Sequence, residues 1–351
     1  MLVRVKVDHT LGLVAGSFVA PGYAQAVVGR RRAALVWAAL VVAGTVLATC
    51  SIWIPLGLFA LHLAAAVAAL SGQRRFAGPP GWWRTLPLIV FVIGIASVGA
   101  VRLQLAAYRI PSSSMYPTLE IGDHIFVDRL SVLWRAPERG EVIVFRYPCD
   151  EQRDYIKRVV AVGGDTVEVR CNILYVNGTA IESRLVDAHA SYRERDEMDG
   201  RWFSRTSSRY RETLGGHTYD VFHDPERPER DAQRDTLAAG DVRDFPRREL
   251  PFPPSCRQTE LYDLPAGAAA PRPGKLVETK PLAVAGACEP QLHYVVPAGG
   301  LFVLGDNRSN ANDSRVWGTL AVDAVIGRVL GIWINDPPGA GRNWSRVGAL
   351  E

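Results

Sequence analysis

Arg109-Ile110-Pro111-Ser112-Ser113-Ser114-Met115-Tyr116-Pro117-Thr118-Leu119 sets three serines between two prolines, below a long apolar segment and ahead of the apolar run 121–127. Two prolines this close fix two φ angles and exclude a helix. The serines are therefore held in a stiff, extended or turning segment. A rigid hydroxyl at the foot of a membrane anchor is a candidate nucleophile, but a serine hydroxyl is weak until something activates it.

Upstream, residues 33–110 are almost free of acids, whereas 120–351 are rich in Arg, Asp and Glu. Arg30, Arg31 and Arg32 precede an apolar run over 33–70. At ~1.5 Å per residue this is nearly twice the ~30 Å bilayer core, so it reads as two spans. Ser51, Pro55 and Gly57 weaken the helix where the turn falls. A third apolar run is broken only near its end, by Arg102 and Gln104. The expectation is an α-helical anchor over 33–108 with transmembrane helices at 34–50, 53–71 and 86–107. The Arg clusters at 30–32 and 74–84 then share the cytoplasmic side, and everything after Tyr108 lies outside the cytoplasm. Residues 1–32 read as a cytoplasmic or interfacial segment. A cleavable secretory signal ending at Ala24-Gln25-Ala26 is the alternative, weakened by the Gly and Ser that break its apolar stretch. His62 falls inside the second span, where an ionisable group is a functional candidate or a neutral partner of a helix neighbour.

The net charge of +4 is modest and the basic surplus diffuse, which argues against a nucleic-acid partner. The lysines are more telling: only Lys6, Lys157, Lys275 and Lys280 occur, and nearly all other positive charge is Arg. Arginine does not give up its proton in a protein, whereas a buried lysine can. Lys157 alone sits in a strand-like run, Tyr155-Ile156-Lys157-Arg158-Val159-Val160-Ala161-Val162. On an apolar strand its amine would be desolvated toward a neutral pKa and could accept a serine proton. The plain alternative is a strand lysine snorkelling to water beside a polar linker.

The outer region reads as mostly β. Short β-branched or alternating runs fall at 123–130, 141–147, 155–162, 166–169 and 173–176, and return at 292–296, 301–304 and 324–334. Asn177-Gly178 is a strong hairpin turn. Between these sets lies an Arg-, Asp-, Glu-, Pro- and Gly-rich excursion, too long for a simple loop, with 218–222 as a candidate strand. The expected division is a catalytic β core at 109–182 and 291–351, with an inserted second β region at 183–290. Cys149, Cys171, Cys256 and Cys288 are an even number in an oxidising compartment. Of the three pairings open to them, Cys149–Cys171 and Cys256–Cys288 are favoured, the first flanking short strands and the second closing a Pro-rich loop. Neither C-x-x-C nor H-E-x-x-H occurs, so no metal site is expected. The G-x-S-x-G and S-x-x-K patterns are also missing.

The third element is Gly305-Asp306-Asn307-Arg308-Ser309-Asn310-Ala311-Asn312-Asp313-Ser314-Arg315, which follows an apolar strand. With Pro111-Ser112-x-Ser114-Met115-x-Pro117, Arg139-Gly140-Glu141-Val142 and Asp154-Tyr155-Ile156-Lys157-Arg158 in order, the chain resembles the bacterial type I signal peptidases, Ser–Lys peptidases of family S26. The resemblance covers about 109–182 and 291–334. It implies a signal-peptidase/LexA-like β fold on the transmembrane anchor. It also implies a serine endopeptidase of the bacterial inner membrane, with its catalytic domain on the periplasmic side. Exported preproteins would be cut after small-x-small sites, with membrane lipid and the export translocon as neighbours and no cofactor.

Residue by residue, Ser114 matches the nucleophile, Lys157 the general base, and Ser112 the oxyanion-hole hydroxyl. Ile110, Tyr155 and Ile156 match substrate-pocket positions. Arg158, Asp306, Asp313, Ser314 and Arg315 match structural support. Ala311 stands where the family has a serine bonded to the lysine, leaving Ser309, Ser314, a backbone carbonyl or water to orient Lys157. Ser113, often Gly in the family, is a milder departure. A peptidase of narrower substrate range and an inactive, membrane-anchored binding relative are the alternatives.

Overall fold

β1 (Leu105–Arg109) runs antiparallel to β2 (Asp123–Asp128), with Leu105 opposite Asp128 and Arg109 opposite His124. This shortens the expected third span. Residues 105–107 are strand, not transmembrane helix, because pairing with β2 supplies their backbone partners while Ala106 and Tyr108 turn onto a buried cluster. The computed structural model describes residues 32, 36, 40, 104–196, 200–234, 244–249, 253–256, 273–337 and 341–350. The 1–32 segment, the spans expected at 34–50 and 53–71, and residues 86–103 of the span expected at 86–107 lie outside the described residues, apart from isolated positions. Among the described residues no helix is long and apolar enough to cross a membrane.

From β2 the chain continues through β3 (Val142–Tyr147) and the long β4 (Asp150–Val162) to β5 (Thr166–Arg170), β6 (Ile173–Val176) and β7 (Thr179–Ala180). The excursion contributes β8 (Glu182–Arg195), β9 (Trp202–Leu214), β10 (His217–His223), the short helix α1 (Arg227–Ala232) and β11 (Lys275–Glu278). The chain closes with β12 (Leu292–Val295), β13 (Gly300–Leu304), α2 (Ser314–Trp317), β14 (Leu320–Ala321), β15 (Val325–Asn335) and β16 (Gly348–Ala349).

Among the described residues, three antiparallel sheets result. The largest has the order β1-β2-β15-β3-β4-β13-β14, with β16 on β15. The others are β10-β9-β8 and β11-β12-β5-β6-β7. The large sheet carries core on both faces, as strict alternation along β3 shows. Val142 and Val144 turn to Met115 and Leu119, whereas Ile143 and Phe145 turn to Val303 and Trp317. A third cluster joins Phe302 and Leu304 of β13 to Val167, Tyr210 and Tyr219 of the two smaller sheets.

The disulfides correct the expected pairing. The bonds are Cys149–Cys256 and Cys171–Cys288, not Cys149–Cys171 and Cys256–Cys288. Cys149 lies in the β3–β4 turn, within the large-sheet core that also holds Cys256. Cys171 lies in the β5–β6 turn of a different sheet, where the Tyr175 hydroxyl donates to the Cys288 carbonyl at 2.7 Å. Each bond therefore ties the excursion to a sheet, across sequence separations of 107 and 117 residues.

Candidate active site

The serine segment is a string of turns between β1 and β2. Met115, Tyr116 and Leu119 are buried, the Tyr116 N–H donates to Ser113 O at 3.1 Å, and the Leu119 N–H donates to Met115 O at 2.9 Å. The anchoring apolar side chains leave Ser112 and Ser114 half-buried, with their hydroxyl oxygens 3.4 Å apart. Lys157 lies mid-strand in β4, opposite Ile143 of β3, and only 3% of it is exposed. Its Nζ sits 2.9 Å from Ser114 Oγ and donates to the Ile156 carbonyl at 2.8 Å. The Tyr155 ring, stacked on Tyr147, lies 5.3 Å from the amine.

The electrostatics of the lysine follow from its burial. Desolvation pushes the Lys157 pKa down to about 8, against the carboxylates of Asp313 and Asp306, which favour the charged form. A substantial neutral fraction is thus available near pH 8. The neutral amine has a lone pair for the Ser114 proton, which an exposed lysine would offer only at much higher pH.

The loop between β13 and α2 braces this pair. Asp313 caps α2 by accepting from the Arg315 N–H at 3.2 Å, and also accepts from the Gly305 N–H at 3.1 Å and Arg315 Nη2 at 2.7 Å. The Ser314 hydroxyl accepts from Val303 N–H at 3.0 Å. Of the orienters left open for Lys157 (Ser309, Ser314, a backbone carbonyl or water), the structure shows a backbone carbonyl, that of Ile156. Arg158 and Asp306 form a buried two-pronged pair at 2.8 and 2.7 Å, and Arg158 also stacks 3.6 Å from the Tyr219 ring centre. Thr118 donates to the same Asp306 at 2.5 Å, joining the serine segment to β4 and the loop. Gly305 is required where it stands. A Cβ there would meet Ala311 Cβ and lie 2.5 Å from Ser114 O.

Tyr155 and Ile156 are half-buried beside Lys157, and Ile156 packs against the same cluster in which Ile110 is buried with Met115 and Leu119. Sequence reasoning missed the acidic residues that the excursion brings in. Glu212 of β9 pairs with Arg308 at 2.6 and 3.1 Å, and Glu194 of β8 accepts from Ser113 Oγ at 2.6 Å. Burial raises the Glu212 pKa, but Arg308, His223 and Arg227 outweigh it and hold the carboxyl down to about 2. Burial, with the Arg227 charge beside it, pushes the His223 pKa well below its usual range. No local motif marks these carboxylates, because their partners lie 81 and 96 residues away.

A serine hydroxyl on a buried, partly neutral amine within a β scaffold defines a serine peptidase of the Ser–Lys kind. The family model described as "Signal peptidase, peptidase S26" matches residues 82–334. Signal peptidase I of Pseudomonas fluorescens is 27% identical over 270 residues, covering 70% of this chain and 71% of that protein. Signal peptidase I of Aquifex aeolicus is 32% identical over 232 residues, covering 65% and 75%. A solved signal peptidase I from Enterococcus faecalis superposes with a TM-score of 0.24 at 20% identity, covering 55% of this chain and 97% of that one. The chain belongs to the signal peptidase, peptidase S26, family.

Proposed function

We propose that this protein is a membrane-bound serine endopeptidase that removes N-terminal signal peptides from exported preproteins, with Ser114 as nucleophile and Lys157 as general base. The observation that carries the reading is the 2.9 Å Ser114 Oγ–Lys157 Nζ contact on an amine that burial holds near neutrality. In the first step Ser114 Oγ attacks the carbonyl carbon of the residue before the scissile bond. The serine proton passes to the neutral Nζ. The new oxyanion is met by the Ser112 hydroxyl and the Ser114 N–H, donors of a kind that contribute roughly 3–4 kcal/mol each to such transition states. The ammonium of Lys157 then gives its proton to the leaving amine. The C–N bond breaks, the mature protein departs, and an acyl-enzyme remains on Ser114. A water loses its proton to Lys157 as it attacks the ester. The Ser114 Oγ–acyl bond then breaks, the Lys157 ammonium returns the proton to Ser114 Oγ, and the signal peptide leaves as a carboxylic acid that ionises in water.

The Ile156 carbonyl keeps Nζ directed at Ser114 through both steps. Tyr155 and Ile156 line shallow space for the small side chains at −1 and −3. Arg158–Asp306 and Asp313–Arg315 hold the walls and touch no reacting atom.

The proposed location is the bacterial inner membrane, crossed three times, with the catalytic unit outside the cytoplasm. The Arg clusters at 30–32 and 74–84 support this orientation, and two disulfides suit an oxidising compartment. A signal peptide's apolar stretch lies in the bilayer, so its cleavage site emerges at that outer surface. The test is cleavage of a synthetic preprotein bearing an Ala-x-Ala site by the detergent-solubilised protein across pH 6–10, with Ser114→Ala as control. Cleavage that rises through about pH 8 and vanishes in the control supports the reading. A folded protein that leaves the site intact would favour a narrow-substrate peptidase or a binding scaffold.

A further inference from the structure

Ala311 has no polar atom in its side chain, and its Cβ lies against Gly305 beside the Ser114 carbonyl and the Lys157 stem. The serine segment and the loop after β13 must nevertheless hold register to within a fraction of an ångström for Ser114 to meet Lys157. Part of that register is backbone. The Asn307 N–H donates to Ser114 O at 3.1 Å, and Asn307 Nδ2 donates to Ser113 O at 3.1 Å. Thr118 adds a side-chain bond to Asp306 at 2.5 Å, and a further side chain reaches in from outside both segments. Glu194 Oε1, near the end of β8, accepts from Ser113 Oγ at 2.6 Å and also from Asn310 Nδ2. Asn310 Nδ2 in turn lies 3.3 Å from Ser113 Oγ, closing a triangle. The other carboxylate oxygen lies 2.7 Å from Arg205 Nε of β9, an ion pair without hydrogen-bond geometry. Glu194 thus holds the residue before the nucleophile and the residue before Ala311 at a single point.

The strand that delivers it is anchored. Two residues earlier on the same face of β8, Tyr192 stacks on Phe222 with ring centres 5.3 Å apart and meets Tyr116 edge-on at 5.2 Å. Phe222 is bridged to the loop itself, donating from N–H to Asp306 O at 2.9 Å and accepting from the Arg308 N–H at 2.8 Å. β8 is therefore braced against both active-site segments, and its carboxylate spans the gap between them.

We infer that Glu194 is a positioning residue: through Ser113 and Asn310 it sets the separation of Ser114 and Lys157, so that the excursion is a working part of the active site. The inference rests on the Ser–Lys reading given above. It predicts that Glu194→Ala loosens the serine segment relative to the loop without touching the substrate. Gln at the same position keeps an acceptor oxygen for Ser113 and Asn310 and should restore most of the contact.

The test uses the full chain in detergent, comparing wild type, Glu194→Ala, Glu194→Gln and Ser114→Ala on the Ala-x-Ala preprotein, with hydrogen exchange followed by mass spectrometry on the same samples. The expected result for Glu194→Ala is a kcat lower by about ten- to a hundredfold with KM within about twofold, the range a small misplacement costs. The acid-side inflection should move upward as water reaches the amine, whose charged neighbours remain Asp313 and Asp306. Exchange should quicken in peptides covering 109–119 and 305–313, and Glu194→Gln should recover most of kcat. A Glu194→Ala kcat within twofold of wild type, or unchanged exchange in both segments, overturns the proposal. If wild type does not cleave, or Ser114→Ala does, the Ser–Lys reading fails, and the exchange comparison still decides whether Glu194 holds the two segments together.

Discussion

A buried amine that must be neutral to work carries a cost and a signature. The Lys157 pKa is lowered from 10.5 to about 8, chiefly by desolvation, so the unfolded chain holds a proton that the folded chain releases between those two values. Stability therefore rises with pH across about 8 to 10.5, and below about 8 the folded state carries a charged, buried amine at its full cost. At ~1.4 kcal/mol per pH unit, that cost is on the order of a few kcal/mol. Lys157→Met, similar in length and without charge, should raise the melting temperature at pH 7 while abolishing cleavage. A melting temperature that falls instead would mean that the lysine's bonds to Ile156 O and Ser114 outweigh its desolvation. Lys157→Arg keeps the charge but cannot deprotonate, so kcat should drop by about a hundred- to ten-thousandfold, the usual range for a lost general base. Single-turnover cleavage at pH 9 would show it, because raising the pH should not rescue the variant. Ala311→Ser tests a different point at this site. Ile156 O already holds Nζ at 2.8 Å, so the added hydroxyl should change kcat by less than about tenfold, and a larger gain would show the carbonyl to be a poor orienter.

At the scale of elements, the β8–β10 sheet acts on the site through charge as well as packing. Glu212 and Arg308 are both buried, and Arg308 also donates to the Gly305 carbonyl at 3.1 Å. Glu212→Gln would leave Arg308 buried without its counter-charge, a change that typically costs ~3–5 kcal/mol. Replacing both by apolar residues, as in Glu212→Leu with Arg308→Met, should recover much of the melting temperature while lowering kcat, since the loop loses a tether. If the single and double variants melt alike, the pair does not brace the loop.

None of this brace was legible in the chain. The strands of the large sheet were, because alternation and turn residues are local signals. Ile173–Val176 was expected at the bounds it has, and Lys157 stood out by scarcity among arginines. The serine segment declared its stiffness through Pro111 and Pro117. Glu194 and Glu212, by contrast, sit in Arg-rich strands where any carboxylate reads as a solvated face, and only the tertiary fold shows which ones are buried. The cysteine pairing failed for the same reason. Proximity in sequence favoured Cys149 with Cys171, but their turns belong to different sheets. The end of the third span failed because an apolar Leu-Ala-Ala run suits an edge strand as well as a helix end.

For the molecule as a whole, the two disulfides and the buried ions set where it can fold and at what pH it persists. Each disulfide closes a loop of over a hundred residues, for which chain-entropy arguments give ~4–5 kcal/mol in a strain-free bond. Both bonds hold the excursion, and the excursion holds the site, so reduction should reach catalysis through Glu194 and Arg308 and not through any sulfur near Ser114. Peptide mapping without reductant should recover Cys149 joined to Cys256 and Cys171 joined to Cys288. Recovery of Cys149 joined to Cys171 would contradict the fold. Acid should act along the same route. Glu212 is held to about 2 against an ordinary 4.5, so its stabilisation is complete above about 4.5 and is lost as pH falls toward 2. His223, whose pKa the fold holds well below 6.5, adds to the loss, since the unfolded chain takes up its proton first. Melting temperature should therefore fall steadily from about pH 6.5 to pH 2, while activity has already gone at the higher pH where Lys157 becomes charged. The separation of these two transitions is the measurement that matters. Activity that disappears near pH 8 in a protein still fully folded at pH 6.5 places the loss on the protonation of one amine, whereas activity and fold lost together would place it on the scaffold.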